Sequence, residues 1–313
     1  MKRFNTTLAL LLGAQLLLAA GLYWAQRPAA EPGAAEPLLS FDAGAVDRVV
    51  IAADGGSEAT LVKRDGVWRL PDYHDLPADA DKVTSMLEKL GRLKGGWPVA
   101  TTESARERFD VDEKRYQRLI TLYDGDEVLG KIYLGTSPGF RQVHARREDS
   151  EEIFAVAFNS YEAPGKDSEW FDKELLRPTG EIEAIEAPDF AVIKTEGQWT
   201  LREKKKGEAI VAEKVDELIR DLKGVWAIEA ADDATAERLS GQAPERRLKL
   251  KTRDRQIEYR LYKEGDDHFL ARSDLDRPFK VSKSDYEALT GYSADKIVRR
   301  SDQEPEAGEP VKG

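Results

Sequence analysis

The sequence predicts an α+β protein: two tandem copies of one α+β unit, each an antiparallel or mixed sheet with a helix packed on one face, after an N-terminal transmembrane helix. Three observations carry this. Short runs of alternating apolar and polar residues, separated by Asp-Gly and Glu-Gly turns, read as strands and hairpins. Leucine-rich segments at helical spacing interrupt them twice. The whole order then recurs once, at a separation of about 130 residues.

In the first copy, Val46–Ile51 and Ala59–Lys63 read as strands, and Arg64-Asp65-Gly66 turns the chain into Val67–Leu70. Asp79 caps a helix from Ala80 to Leu93, with Val83, Met86, Leu87, Leu90 and Leu93 on one face. Glu103–Phe109 reads as a second, shorter helix. Leu119–Tyr123 and Val128–Leu134 form a hairpin about Asp124-Gly125-Asp126, and Val143–Arg146 and Ile153–Val156 are further strands. Ser168–Leu176 is amphipathic, and Pro178 to Gly180 break the chain.

The second copy follows. Ile182–Ile185, Ala191–Lys194 and Gln198–Leu201 repeat the first three strands, and Trp199 stands 131 positions after Trp68. Val215, Leu218, Ile219 and Leu222 match Val83, Met86, Leu87 and Leu90 at a constant 132. Trp226 answers Trp97, Leu239 answers Phe109, and Ala271-Arg272 answers Ala145-Arg146. Leu248–Lys251 and Ile257–Leu261 repeat the hairpin, and Phe279 and Val281 match Phe154 and Val156. The expected division is residues 1–26 as membrane anchor or signal, 27–37 as flexible linker, 38–178 and 181–291 as the two repeats, and 301–313 as a disordered tail.

Residues 1–26 set the location. Lys2 and Arg3 precede twenty uncharged residues, Thr6–Ala25. At ~1.5 Å per helical residue these reach ~30 Å, the thickness of a bilayer core. Tyr23 and Trp24 suit the interface, and the charge bias places the N-terminus in the cytoplasm and the rest outside. A cleaved signal peptide is the alternative, with Leu8–Ala20 as its apolar core and small residues at Ala19, Ala20 and Gly21. Either way the bulk of the chain is extracytoplasmic. The net charge of −11 argues against a nucleic-acid partner. The absence of Cys excludes disulfides and thiol chemistry, and three His are thin stock for acid–base work.

Several segments together resemble a known family. They are GVWRLP (66–71), ADADKVTSMLEKLGRL (78–93), ITLYDGDEVLGKIYLG (120–135), the V-x-A-R strand at Val143–Arg146, and EWFDKELLRPTGEIEAIE (169–186). The chain resembles the bacterial family called domain of unknown function 4340 over about residues 45–290. Members are commonly encoded beside ABC transporters and gliding-motility-type auxiliary proteins. The resemblance implies a membrane-tethered accessory role at the bacterial inner membrane. It identifies no catalytic residue.

Asp72, His74, Asp75, Asp79 and Asp81 crowd one loop, but EF-hand spacing is absent and carboxylates at a helix start are expected. His144 and His268 lie in strands, each without a recognisable partner. Trp68, Trp97, Trp199 and Trp226 fall at repeat-matched positions, which points to packing. Trp170 and Phe171 have no copy in the second half and are the candidate partner surface. Arg247, Lys249, Lys251, Arg253 and Arg255 alternate, so a strand lines them on one face. That face reads as a solvated one balanced by Glu245, Asp254 and Glu258, or as a contact for anionic headgroups or an acidic partner. No catalytic, cofactor-binding or metal residue is expected. The expected function is a membrane-anchored accessory or scaffold protein, held by residues 6–25 and acting by contacts with an ABC-transporter-type complex. A tethered binder of an envelope lipid or polysaccharide is the alternative.

Overall fold

The computed structural model describes residues 36–300, together with Gln15. The expected anchor, most of the linker and the tail therefore lie outside the described residues. Among the described residues, no helix is long and apolar enough to cross a membrane. The protein is mixed α+β with antiparallel sheets. It forms two compact units: residues 36–62 with 81–165, and 63–80 with 166–300.

The chain opens with β1 (Arg48–Ala53) and β2 (Glu58–Arg64), then passes through β3 (Val67–Leu70) and β4 (Leu76–Pro77). Helices α1 (Ala80–Gly91) and α2 (Glu103–Arg108) follow. Next come β5 (Val111–Asp112), β6 (Arg115–Tyr116), β7 (Arg118–Asp124), β8 (Glu127–Leu134), β9 (Val143–Arg147) and β10 (Phe154–Val156). Within the first unit the sheet order is β10-β9-β8-β7-β1-β2, antiparallel throughout. Strand alternation puts Val49, Ile51, Leu61, Ile120, Leu122 and Ile132 on one face, all fully buried. Helix α1 buries Val83, Met86, Leu87 and Leu90, the stripe that helical spacing requires. A smaller cluster of Ala105, Val111, Tyr133 and Ile153 gathers α2 and β5 against β8.

The second unit contains β11 (Ile182–Glu186), β12 (Ala191–Thr195), β13 (Gln198–Leu201), β14 (Glu208–Ile210), α3 (Ala212–Gly224), β15 (Glu229–Ala230) and α4 (Asp233–Ser240). It continues with β16 (Arg246–Thr252), β17 (Gln256–Glu264), β18 (Asp267–Arg272), β19 (Phe279–Lys280), α5 (Lys283–Thr290), α6 (Ala294–Ile297) and β20 (Val298–Arg300). Its sheet order is β13-β12-β11-β16-β17-β18-β19-β15, again antiparallel. Val215, Leu218 and Leu222 of α3 are fully buried, as are Ile185, Val192, Leu248, Leu250, Ile257, Tyr259 and Leu261 of the sheet. A second cluster, Ala231, Leu239, Tyr262, Phe269 and Ala271, places α4 on the opposite face at the β17–β18 end.

The two-residue hairpin turns repeat in detail. Asp65-Gly66 has φ of 51° and 81°, and Glu196-Gly197 has the same pair of values. Positive φ at both central residues is the turn that matches strand twist, and glycine supplies the second at no steric cost.

Two features depart from expectation. Packing continues past residue 291: β20 pairs with β14, and α6 lies against α3. The units also divide differently from the expected 38–178 and 181–291. Residues 63–80 group with the second unit, and three hydrogen bonds tie residues 73–79 to it. Asp79 N–H donates to the Trp170 carbonyl (2.8 Å), Asp172 N–H to the Pro77 carbonyl (2.8 Å), and Ala230 N–H to the Tyr73 hydroxyl (3.1 Å).

Two buried tyrosines fix the C-terminal helices. Tyr286 donates to Glu245 (2.6 Å) and Tyr292 to Asp221 (2.6 Å). Burial, then the hydrogen bond to the carboxylate, pushes each phenol well above the ordinary tyrosine range. A raised folded pKa means stability that is whole below the unfolded value near 10 and is lost as pH rises beyond it. We expect Tyr292→Phe to cost about 1–2 kcal/mol at pH 8, for the lost charge-assisted bond. Above pH 10 the variant's stability should fall less steeply than wild type. Urea midpoints from pH 8 to 11 check this, and parallel curves would refute the role given to Tyr292.

Candidate functional surface

Trp170 and Phe171 do not form an exposed surface. They are 0% and 1% exposed. The segment 167–176 is a short 3-10 turn followed by further turns, and Ala78 bridges to Phe171 beside the Trp170 carbonyl bond. Phe171 stacks on Phe279 (6.2 Å) and meets the tilted ring of Tyr73 (5.8 Å). The candidate partner surface is therefore corrected: an aromatic pair without a repeat copy is here a core plug. Its apolar area is better buried among other rings than left in water.

The repeat-matched tryptophans split instead. Trp68 and Trp199 are buried on their hairpins, as packing predicts. Trp97 is 74% exposed and Trp226 45% exposed, so packing does not account for these two. Each has an exposed β-branched residue two positions on, Val99 (48%) and Ile228 (44%). Backbone bonds hold both segments. Val99 N–H donates to the Ile153 carbonyl (2.7 Å) and Ile228 N–H to the Lys280 carbonyl (2.8 Å). The Arg177 guanidinium lies 5.4 Å over the Trp226 ring. Both units thus present a Trp-x-Val/Ile segment on a fixed backbone at the same place in the chain order.

The titratable residues of interest are committed to structure. His144 lies 2.8 Å through Nδ1 from the Thr136 carbonyl, which makes the ring nitrogen the donor, and it stacks on Phe109. Burial, with the Arg108 charge, lowers its pKa from the ordinary histidine value despite the Thr136 bond. His268 packs on Tyr286. Arg146 of the V-x-A-R strand is buried and donates to the carbonyls of Val111 (2.8 Å), Arg147 (3.1 Å) and Ser150 (3.1 Å). Arg272 is its counterpart in order. It donates to the carbonyls of Leu175 (2.5 Å) and Arg177 (3.0 Å) and forks onto Asp274 (2.6 and 2.9 Å). Nearby Tyr259 donates to the Leu176 carbonyl (2.8 Å), and burial pushes its phenol up to about 12.

In the acidic loop, Asp75 is paired with Arg64 (2.9 Å) and Arg69 (3.4 Å). His74 meets Arg277 at 3.1 Å, and burial and that charge lower its pKa. Among the described residues, no group of three or more His, Asp or Glu is placed to hold a metal ion.

A cleft of about 410 Å³ opens in the second unit between the β11–β12 turn, the end of β13 and the β14–β20 ribbon. Its ionic walls are largely self-paired: Arg202 with Glu186 (2.7 Å), Arg300 with Glu208 (3.7 Å), and Asp189 with Arg246 (2.7 Å) and the Ala294 N–H (2.6 Å). Sequence reasoning gave no sign of it, because its walls come from five separated segments.

The basic row is only partly where alternation predicts: β16 ends at Thr252, so Arg253 and Arg255 lie beyond the strand. Arg247, Lys249 and Lys251 point away from buried Leu248, Leu250 and Thr252 on β16. Of the expected counter-charges, Glu258 meets Arg260 at 3.7 Å, while Glu186 approaches Lys249 at 3.9 Å. Glu245 is held by Tyr286 instead, and Arg255 pairs with Asp274 (3.1 Å).

Fold and surface together define a mixed α+β protein with two exposed tryptophans, Trp97 and Trp226, on segments held by backbone hydrogen bonds. The chain belongs to the family described as domain of unknown function (DUF4340), whose model matches residues 68–254. Neither the curated proteins nor the solved structures contain a match to it.

Proposed function

We propose that this protein is a membrane-anchored extracytoplasmic accessory or scaffold. It acts through protein–protein contacts with an ABC-transporter-type envelope complex. The observation that carries the reading is the pair of exposed Trp-x-Val/Ile segments, Trp97–Val99 and Trp226–Ile228. Large aromatics held exposed on rigid backbone are the residues that dominate protein interfaces. The reading also takes the chain as two copies of one unit. Supporting this, strands β2-β1-β7-β8-β9-β10 have the same order as β12-β11-β16-β17-β18-β19. In both, a main helix follows the first strands and a shorter helix covers one end of the opposite face. A duplicated unit offers a partner two similar docking points, and two weak sites on one chain reinforce each other.

The test is crosslinking and affinity purification of the full-length chain from native membranes, beside a form lacking residues 1–26 and a Trp97→Ala/Trp226→Ala double variant. Exposed positions cost little stability, within about 0.5 kcal/mol each. The double variant should keep the wild-type thermal midpoint and lose most of the co-purifying transporter subunits. Equal recovery with both tryptophans removed would overturn the reading. Recovery of lipid or glycan without any protein would favour the tethered-binder alternative.

A further inference from the structure

The outward face of the second sheet is basic in a chain whose net charge is −11. Register defines this face. Arg247 lies opposite Arg260, Lys249 opposite Glu258 and Glu186, and Lys251 opposite Gln256 and Ala184. Arg202 joins it through its bond beside Ala191 and its contact with Glu186. Five cations, Arg202, Arg247, Lys249, Lys251 and Arg260, share the face with Glu186, Glu258 and the bulge residue Glu183, an excess of two positive charges. The α4 cluster covers only the β17–β18 end, so the β11–β16 region stays open to solvent.

We propose that this face lies against an anionic phospholipid surface. The geometry favours a bilayer over a folded partner. The cations stand on an antiparallel sheet at a two-residue period, ~7 Å apart along the strand. Of the charged residues on this face the cleft takes in only Glu186 and Arg202, and none of Arg247, Lys249 or Lys251 lines it. Long, solvated side chains in a regular row read charge density, which is what a headgroup layer presents. The inference deepens the membrane-tethered reading, since a tether holds the face near lipid, but its test does not depend on the tether.

The chain has no Cys, so one introduced thiol gives a unique label. Thr200 lies on this face, in line with Lys251 through Ile193 and Ala184. The full chain carrying Thr200→Cys with an environment-sensitive fluorophore is mixed with phosphatidylcholine vesicles or with vesicles containing 30% phosphatidylglycerol. Val128→Cys, exposed in the first unit, is the control. The Thr200 label should shift only with the anionic vesicles and should relax in high salt. Apparent partitioning should rise about fivefold per uncompensated cation, on the order of 25-fold for two. Lys251→Gln should cut it about fivefold, and Arg247→Glu/Lys249→Glu/Lys251→Glu should abolish it with circular dichroism unchanged. Because the label reads the face itself, insertion of residues 6–25 into both vesicle types leaves the comparison intact. Failure of the chain to join either vesicle except through the anionic face would count against the tether alone. Equal signals on both lipids, or an unchanged signal in the triple variant, would overturn the proposal. Protection of the label only by an added acidic protein would do so too.

Discussion

Replacing Arg272 with Met should destabilise the protein by about 3 kcal/mol, although the residue touches no ligand. Arg272 is buried, and its guanidinium is the joint at which residues 175–177 are fastened to β18. Removing it strands the Leu175 and Arg177 carbonyls and deprives Asp274 of its bidentate partner. Lysine should not rescue, because a single ammonium cannot reach both carbonyls and fork onto the carboxylate. Burial opposes ionisation of Asp274, yet the Arg272 bonds hold its carboxyl below the usual range. A depressed folded pKa gives stability that is present above the unfolded value near 4 and lost as pH falls through the folded one. The variant should therefore lose less on acidification than wild type. Chemical unfolding at pH 7 and pH 3.5 reads both effects. Arg247→Met, on the solvent side of β16, is the comparison and should change stability by no more than about 0.5 kcal/mol. Similar losses at the two positions would remove the distinction between a buried and a solvated arginine.

Trp170→Ala is expected to cost about 3–5 kcal/mol, the range for truncating a fully buried aromatic in a site that cannot collapse. The side chain is wholly buried, and its own carbonyl receives the Asp79 N–H at the start of α1. The effect should appear as a lower urea midpoint, with proteolytic cutting concentrated in residues 63–80 and 166–176. An exposed docking residue would behave in the opposite way, with binding lost and stability kept. Measuring Trp170→Ala beside Trp97→Ala therefore separates a core residue from a surface one in a single unfolding experiment.

Much of this fold was legible in the chain. The strands were readable because half-buried antiparallel sheets force period two, and the main helices because Val83–Leu90 and Val215–Leu222 form continuous stripes. What escaped reading has physical causes. Trp170-Phe171 resembled an interface because it lacks a second copy, yet burial depends on the path of residues 73–79, which no local pattern encodes. Trp97 and Trp226 resembled core because they recur, but recurrence reports common architecture and not solvent access. The β14–β20 ribbon went unseen because Glu208–Ile210 and Val298–Arg300 are three-residue strands, too short for alternation to register. The cleft depends on segments far apart in sequence, so no spacing could announce it. The basic row was legible as a row; which carboxylates answer it was not, since that depends on cross-strand register.

The interleaving of the two units has a consequence for biosynthesis. Residues 63–80 leave the ribosome about 100 residues before the partners they bond to, with residues 81–165 of the other unit emerging between. The second unit cannot close around Tyr73 and Ala78 until chain beyond 166 has appeared, and its β20 clasp waits until residue 300. A newly made chain therefore passes through an interval in which Tyr73, Pro77 and Asp79 lack the partners they bond in the finished protein. A gene fragment beginning at residue 181 lacks residues 63–80 and 166–180 of this unit and should therefore yield a product that does not fold, with no cooperative urea transition.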